Sequence, residues 1–380
     1  MATSKLADIS SNGRKWRLRP RLLLLIALPT GAALALGGVS IAGSWQSAAA
    51  DQRSEALAGL SAKITQLAFQ VEAERDAIVW YIANGVNGRA SQLNRHANPT
   101  HKVASEDRLQ IVQQQFRFTA PWLRAVATGV TEVGSGYPPG VQGAARAVAA
   151  KLRNLPSLRD LALRSQIAAP DVLGDYDNLL GVLLSFDDQL PLKSDDPQLI
   201  STTRAMAAIS RYESEEAVQR AIVMYGLTAR SVSSGLLTEF NASVANQEAD
   251  SAEFENFATA SQLTMFNQSL AASLEDRVVA DEEEFSQNAD RLAGVTIVPQ
   301  DWYGAESDTI AVTHKYEETL ANSIIERARV LHDRAVTSAL VVGGILAAVL
   351  VFSLLLVMYV GRFMPERRRP VTVLGLSPSN

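Results

Sequence analysis

Hydrophobic residues in this 380-residue chain follow two different rules. Toward each end they are continuous: Leu22 to Gly43 and Ala335 to Gly361 are uncharged apolar runs of 22 and 27 residues. A bilayer core is ~30 Å thick and a helix rises 1.5 Å per residue, so about 20 residues suffice to cross it. Each run predicts a transmembrane helix. Between the runs, apolar residues become periodic. From Leu57 onward, Leu60, Ile64, Leu67, Val71, Ile78 and Tyr81 fall on one line in alternating steps of three and four with one interruption, a heptad seam of the coiled-coil kind. No stretch shows sustained period-two alternation, and no Asn-Gly or Asp-Gly pair joins two strand-like runs. The expected fold class is all-α: an extracytoplasmic helical bundle flanked by two transmembrane helices.

Breakers divide the middle segment. Asn84 to Thr100 is rich in Asn, Gly and Arg and reads as a loop; a helix should follow from about Ser105 to Thr131. Gly134-Ser135-Gly136-Tyr137-Pro138-Pro139-Gly140 is the clearest turn. Pro156 and Pro170 each fit the first turn of a further helix, where the missing donor is harmless. Asp195-Asp196-Pro197 should open another helix, ending near Gly226 or Arg230. The next carries Phe240, Val244, Phe254, Phe257, Phe266, Leu270 and Leu274 with one kink or break. Val298 to Gly304 reads as a turn, after which Leu320, Ile324, Ala328, Leu331 and Ala335 lead into the second span.

Charge orients the chain. Residues 1–21 carry a net +5 and residues 362–380 a net +3, and clusters of Lys and Arg beside spanning helices stay cytoplasmic. Removing both from the whole-chain −5 leaves −13 for the middle. The expected layout is therefore a basic cytoplasmic tail (1–21), a first span (22–44), an outer domain (45–334), a second span (335–361) and a short cytoplasmic tail (362–380), in the plasma membrane. Ala48-Ala49-Ala50 would suit signal-peptide cleavage, but an apolar run of 22 residues exceeds the ~7–15 of a signal sequence and favours an uncleaved anchor. With no cysteine, the outer domain has neither disulfides nor a thiolate metal site.

The seams are interrupted by charge. Between Val71 and Ile78 the seam position is Glu74, beside Arg75; on the line through Met206, Ile209, Val223 and Leu227 the interposed positions are Glu213, Glu216 and Arg220. Both Arg75 and Arg220 precede an Ala-Ile-Val-x-Tyr string within two residues. A buried charge costs several kcal/mol unless paired, so the two arginines have two readings. They form a site for an anion, or they are satisfied internally by Glu72, Glu74, Glu213 and Glu216.

A basic tail, a Leu-rich span containing proline, a long helix with a Glu-Arg motif, a second arginine helix about 145 residues on and a return span together resemble the nitrate- and nitrite-sensing domain of bacterial sensor histidine kinases, membrane-anchored type, over roughly residues 15–360. The resemblance implies an all-helical pair of four-helix-type bundles sharing long helices, in which arginines on the first and a later helix hold the anion, here Arg75 and, second, Arg220. It departs from the family's approximate Leu-Gln-x-Glu-Arg-Gly pattern: Val71-Glu72-Ala73-Glu74-Arg75-Asp76 places Glu72 and Asp76 where glutamine and glycine are usual. Nitrate is a planar monoanion that matches the guanidinium fork, and carboxylates beside that fork compete for it.

The resulting expectation is a signal-transduction receptor that senses nitrate or nitrite through Arg75 and Arg220, with Glu72, Glu74 and Glu216 as supporting or competing ion pairs. Its expected partners are a second copy of the chain and a histidine kinase, which is either separately encoded or interrupted after a linker that opens at Arg369-Pro370-Val371. The alternative is a non-enzymatic membrane scaffold whose bundle binds another protein. No cofactor, metal site or catalytic residue is expected: His96 and His101 lack acidic or thiolate partners nearby, Asp281-Glu282-Glu283-Glu284 reads as a solvated helix face rather than a calcium loop, and no phosphate loop or hydrolase motif occurs. The acidic middle segment argues against nucleic acid.

Overall fold

A computed structural model describes residues 18–83, 99–164, 167–193, 196–270 and 275–363. Among them there are nine α-helices and no strand: α1 (Leu18–Ala83), α2 (Pro99–Thr131), α3 (Pro139–Leu163), α4 (Ala169–Leu184), α5 (Pro197–Ala229), α6 (Ser234–Phe257), α7 (Ala260–Leu270), α8 (Glu275–Gln287) and α9 (Pro299–Phe363), with short 3-10 turns at Asp187–Lys193 and Ala289–Gly294. The chain divides into two compact units, Ala50–Leu331 and the paired segments Met1–Ala49 with His332–Asn380.

Local chemistry explains most of the boundaries. Proline occupies the first turn of α3, α4 and α5. At the start of α5 the Asp196 carboxylate accepts from the Leu199 amide at 2.8 Å, and at the start of α6 the Ser233 hydroxyl does the same for Leu236 at 3.2 Å. Helix α5 ends on Arg230, a non-glycine residue in left-handed conformation at φ 55°. The break expected between Phe240 and Leu274 falls at Ala258 and Thr259, between α6 and α7.

Inside the Ala50–Leu331 unit there are two apolar cores. One joins Leu60, Ile64, Leu67, Val71 and Ile78 of α1 to Leu155 of α3, Leu173 and Leu180 of α4, Ile222 of α5, Phe285 of α8 and Trp302 of α9. The other joins Ala58 of α1 to Met206 and Ile209 of α5, Phe254 of α6, Phe266 of α7 and Leu320 and Ile324 of α9. Its aromatic rings meet edge to face, Phe254 and Phe266 at 5.1 Å. Helices α1, α5 and α9 thus contribute to both cores, and every residue of the seam from Leu57 to Tyr81 is buried.

In the other unit the apolar stretches of α1 and α9 pair. Thr30 and Ser353 hydroxyls hydrogen-bond at 2.9 Å, His332 Nδ1 donates to the Ala48 carbonyl at 2.9 Å, and a Cβ at Gly37 would lie 2.5 Å from the Leu346 methyls, so a residue without a side chain stands at that contact. Leu25, Leu36, Val39, Leu340 and Phe352 expose most of their surface, and both helices are long and apolar enough to cross a membrane. Pro29 sits inside α1, as prolines in spanning helices do.

Four expectations differ from the structure. Pro156 does not start a helix; it lies within α3, whose buried line Val141, Ala145, Val148, Leu152, Leu155 and Ala162 continues through it, so packing outweighs the lost amide. Helix α2 begins at Pro99, earlier than Ser105. Val298 to Gly304 is not a turn: Pro299 opens α9 and Gly304 lies inside it, because buried Trp302 and Ala305 anchor this first stretch. Asp281-Glu282-Glu283-Glu284 is not a uniformly solvated face. Burial pushes the Glu282 carboxyl up to about 8, and Glu284 accepts from the Thr296 amide at 3.0 Å. The loop residues 84–98, His96, Leu274, most of the basic tail and residues 364–380 lie outside the described residues.

Candidate functional site

The charges that interrupt the two seams do converge. Arg75 on α1 is fully buried, and all three of its nitrogens donate. Nε reaches Asp76 Oδ1 at 3.0 Å, Nη1 reaches Asp177 Oδ1 of α4 at 2.6 Å, and Nη2 reaches the Ala217 carbonyl of α5. Arg220 on α5 approaches the same Asp76 carboxylate from the other side, with Nε and Nη2 at 2.7 and 2.6 Å from Oδ2. Its Nη1 reaches Ser307 Oγ at 3.3 Å, and its guanidinium lies 5.1 Å from the Tyr303 ring centre. One carboxylate therefore bridges two guanidinium groups in a water-excluded core. Trp302 fixes α9 against this point, its indole nitrogen 3.5 Å from the Arg220 carbonyl.

Helical spacing explains the meeting. Arg75 and Asp76 follow directly on seam position Glu74, and Ala217 lies three residues before Arg220 on the same α5 face. Burial, the largest single influence, would lower the pKa of each arginine; the neighbouring acidic groups together outweigh it, Asp76 first, then Asp177 and Glu72 for Arg75 and Tyr303 and Glu72 for Arg220, so both values are raised. Both remain cations.

Glu74 is not a partner of Arg75. Its carboxylate takes a bidentate fork from Arg159 of α3, Nε at 2.7 Å and Nη2 at 2.5 Å, and a hydroxyl proton from Tyr176 at 2.7 Å. Glu72 is buried, and burial lifts its carboxyl to about 7 against the pull of Arg75, Arg220 and the Ser214 hydroxyl. Glu216, with Glu282, repels the buried Glu306, whose pKa burial already raises well above the ordinary range. Glu213 hydrogen-bonds His314. The carboxylates that hydrogen-bond the two arginines are Asp76 and Asp177, and Glu72 acts on both through its charge.

Asp177, Ser307, Tyr303 and the Arg159–Tyr176 pair carry no sequence signal of their own. Tyr176 and Asp177 look like ordinary residues of an apolar helix, and only the packing of α4 against α1 gives them a role. Asp76 had one, as the charged residue directly after the motif arginine.

A sequence profile for the family described as nitrate and nitrite sensing matches residues 66–325, which includes Arg75 and Arg220 and covers more than half of the chain. Among curated proteins none matches. Among solved structures, the NasR transcription antiterminator is similar in fold, with 17% identity, a TM-score of 0.58 and coverage of 80% of each chain. From the α1 arginine motif through both bundles, this chain belongs to the nitrate- and nitrite-sensing family, a sensory rather than catalytic group.

Proposed function

We propose that this protein is a membrane-anchored receptor whose helical domain holds nitrate or nitrite between Arg75 and Arg220 and transmits binding through α1 and α9. The observation that carries this reading is the shared carboxylate of Asp76. A carboxylate is a planar monoanion; so are nitrate and nitrite, and each presents at least two oxygens to a guanidinium fork. A ligand that takes the place of Asp76 meets Nε of Arg75 and the Nε–Nη2 edge of Arg220, the same donors Asp76 uses now. Asp76 is then an internal counter-ion that the ligand must displace, so affinity is set against an intramolecular competitor.

The two apolar helices would place the domain outside the plasma membrane with both termini inside, as the flanking basic residues suggest. Because the Arg75 helix and the Tyr303–Ser307 helix are the same helices that contain the apolar stretches, a small shift between them is a physically reasonable output, as in helix-shift switches. A second copy of the chain and a cytoplasmic histidine kinase are the partners this output calls for.

One observation favours a second reading. All three Arg75 nitrogens are already engaged by protein atoms, which suits a scaffold whose arginines only hold the bundle together. Thermal unfolding of the full-length protein in detergent, with matched concentrations of sodium nitrate, nitrite and chloride, separates the two. The receptor reading expects stabilisation by nitrate or nitrite beyond chloride, and loss of it in Arg220→Gln. Equal curves in all three salts would leave the scaffold.

A further inference from the structure

A second buried polar cluster lies about nine residues back along α1 from the arginines. His314 of α9 places Nδ1 3.2 Å from Glu213 Oε2 of α5 and 3.1 Å from Glu317 Oε2, and one oxygen of each carboxylate and the imidazole nitrogen all lie within 4.8 Å of one another. The three side chains expose 8%, 5% and 1% of their surface. We propose that Glu213, His314 and Glu317 bind a divalent first-row transition-metal ion, with Nδ1 and one oxygen of each glutamate as its protein ligands.

Four features support this assignment. The first is spacing: ligands held ~2.0–2.2 Å from a tetrahedral metal lie roughly 3.3 Å from one another, close to the separations of Nδ1 from the two oxygens. The second is the orientation of the ring. Nε2 is 3.1 Å from Gln66 Oε1, an acceptor, so the ring proton belongs on Nε2 and the Nδ1 lone pair faces the carboxylates. Phe69 stacks on the imidazole with centroids 4.0 Å apart and planes 9° from parallel, which fixes the ring in that pose. An outer hydrogen bond that sets the tautomer is the usual support of a metal-binding histidine.

The third feature is charge. Two carboxylates, those of Glu213 and Glu317, face one buried imidazole. Asp187 Oδ2 is also buried, with no hydrogen-bond partner. One imidazole carries at most one positive charge, and a divalent ion would balance two glutamates. The fourth is access. A cavity of about 270 Å³ bordered by Lys63, Gln66, Trp122, His314 and Glu318 opens beside the Nε2 edge of the ring, so an ion can approach the cluster past His314. The donor set excludes thiolate metals, since the chain has no cysteine, and an imidazole ligand favours zinc, manganese, cobalt or ferrous iron over magnesium and calcium. Without metal, a proton on Nδ1 takes the place of the ion.

The test uses the full-length protein in detergent, stripped with chelator and titrated with Co(II) and Zn(II). One equivalent per chain should bind, with Co(II) absorption bands in the visible, and Zn(II) should raise the unfolding midpoint. His314→Gln should lose the stoichiometric site, Gln66→Ala should weaken it by about 10–100-fold, and a double variant at His96 and His101 to Asn should keep it. Because His314→Gln alters a buried cluster, its helical content is checked by circular dichroism, and zinc-edge X-ray absorption on the unaltered protein should show one imidazole among oxygen ligands. Absence of stoichiometric binding, its persistence in His314→Gln, or an all-oxygen shell would overturn the proposal. None of these outcomes depends on nitrate.

Discussion

Replacing Asp76 by Asn isolates the group on which the proposed anion site turns. The carboxylate makes three charge-assisted contacts, 3.0 Å to Arg75 and 2.7 and 2.6 Å to Arg220, and its side chain is 1% exposed. The amide keeps the shape and one acceptor but removes the charge. Arg75 retains Asp177 and the Ala217 carbonyl, whereas Arg220 retains Ser307 Oγ, the Tyr303 ring and the charge of Glu72. Removing one member of a buried pair destabilises by ~3–5 kcal/mol, and the remaining amide oxygen argues for the lower end. At ~2–4 °C per kcal/mol for a unit of this size, the unfolding midpoint should fall by roughly 6–12 °C in chloride. Nitrate should restore much of that fall, because a ligand at a hundred times its dissociation constant contributes about 2.7 kcal/mol. The assay is calorimetric or dye-monitored unfolding of the full-length variant in nitrate and in chloride. A variant within ~0.5 kcal/mol of the parent would show that Asp76 does not neutralise the arginines. A destabilised variant that nitrate and chloride treat alike would refute the exchange of ligand for carboxylate.

Stability should decline as pH rises above about 5. Glu72 and Asp187 have folded-state values near 7 and Glu282 near 8, all above their unfolded values, so the folded state holds protons that the unfolded state has released; His314, raised to about 11, adds stability that is lost between 6.5 and 11. Each group contributes a slope on the order of 1 kcal/mol per pH unit between its two values, so the midpoint should be higher at pH 6 than at pH 8.5, and a flat profile would contradict the burial of these groups. Gly226→Ala should destabilise by ~1–3 kcal/mol in chemical denaturation, since its Cβ would lie 2.8 Å from a ring carbon of the fully buried Phe285. Arg230→Gly should stabilise by ~0.5–1 kcal/mol, because the exposed Arg230 holds a left-handed conformation at the end of α5 that glycine adopts without strain.

The helical plan was legible because it rests on local rules. Two uninterrupted apolar runs, a seam with steps of three and four, and an aspartate before Pro197 each specify their element without help from the rest of the chain. What was not legible depends on contacts between distant elements. Pro156 reads as a helix start until the buried line on both sides is known to pack against α1 and α4. The seam showed that Arg75 and Arg220 face the core, and helical periodicity placed glutamates beside them, yet the arginines take aspartates: Asp76, one residue off the seam, and Asp177, on a helix 102 residues away. Likewise His314 stood in the sequence as an isolated histidine, and its two glutamate partners come from its own helix and from α5.

The same three helices carry three successive layers within the Ala50–Leu331 unit. Arg75 and Asp76 of α1 meet Arg220 of α5 and Ser307 and Tyr303 of α9; Gln66 and Phe69 meet Glu213 and His314 with Glu317; and Ala58 meets Met206 and Ile209 with Leu320 and Ile324. The first two layers are charged and the third is apolar. Apolar layers pack by volume and resist displacement, because a shift opens voids. Charged layers pack by pairing, and a change of partner at nearly constant volume alters their energy without a cavity. Nitrate in place of Asp76, or a metal ion in place of the Nδ1 proton, is such a change. Each would alter what holds α1, α5 and α9 together at its own level while the apolar layer keeps the helices in register. Charge placed on core seams, which only weakens a purely structural bundle, would in this family member let small ions act on its packing.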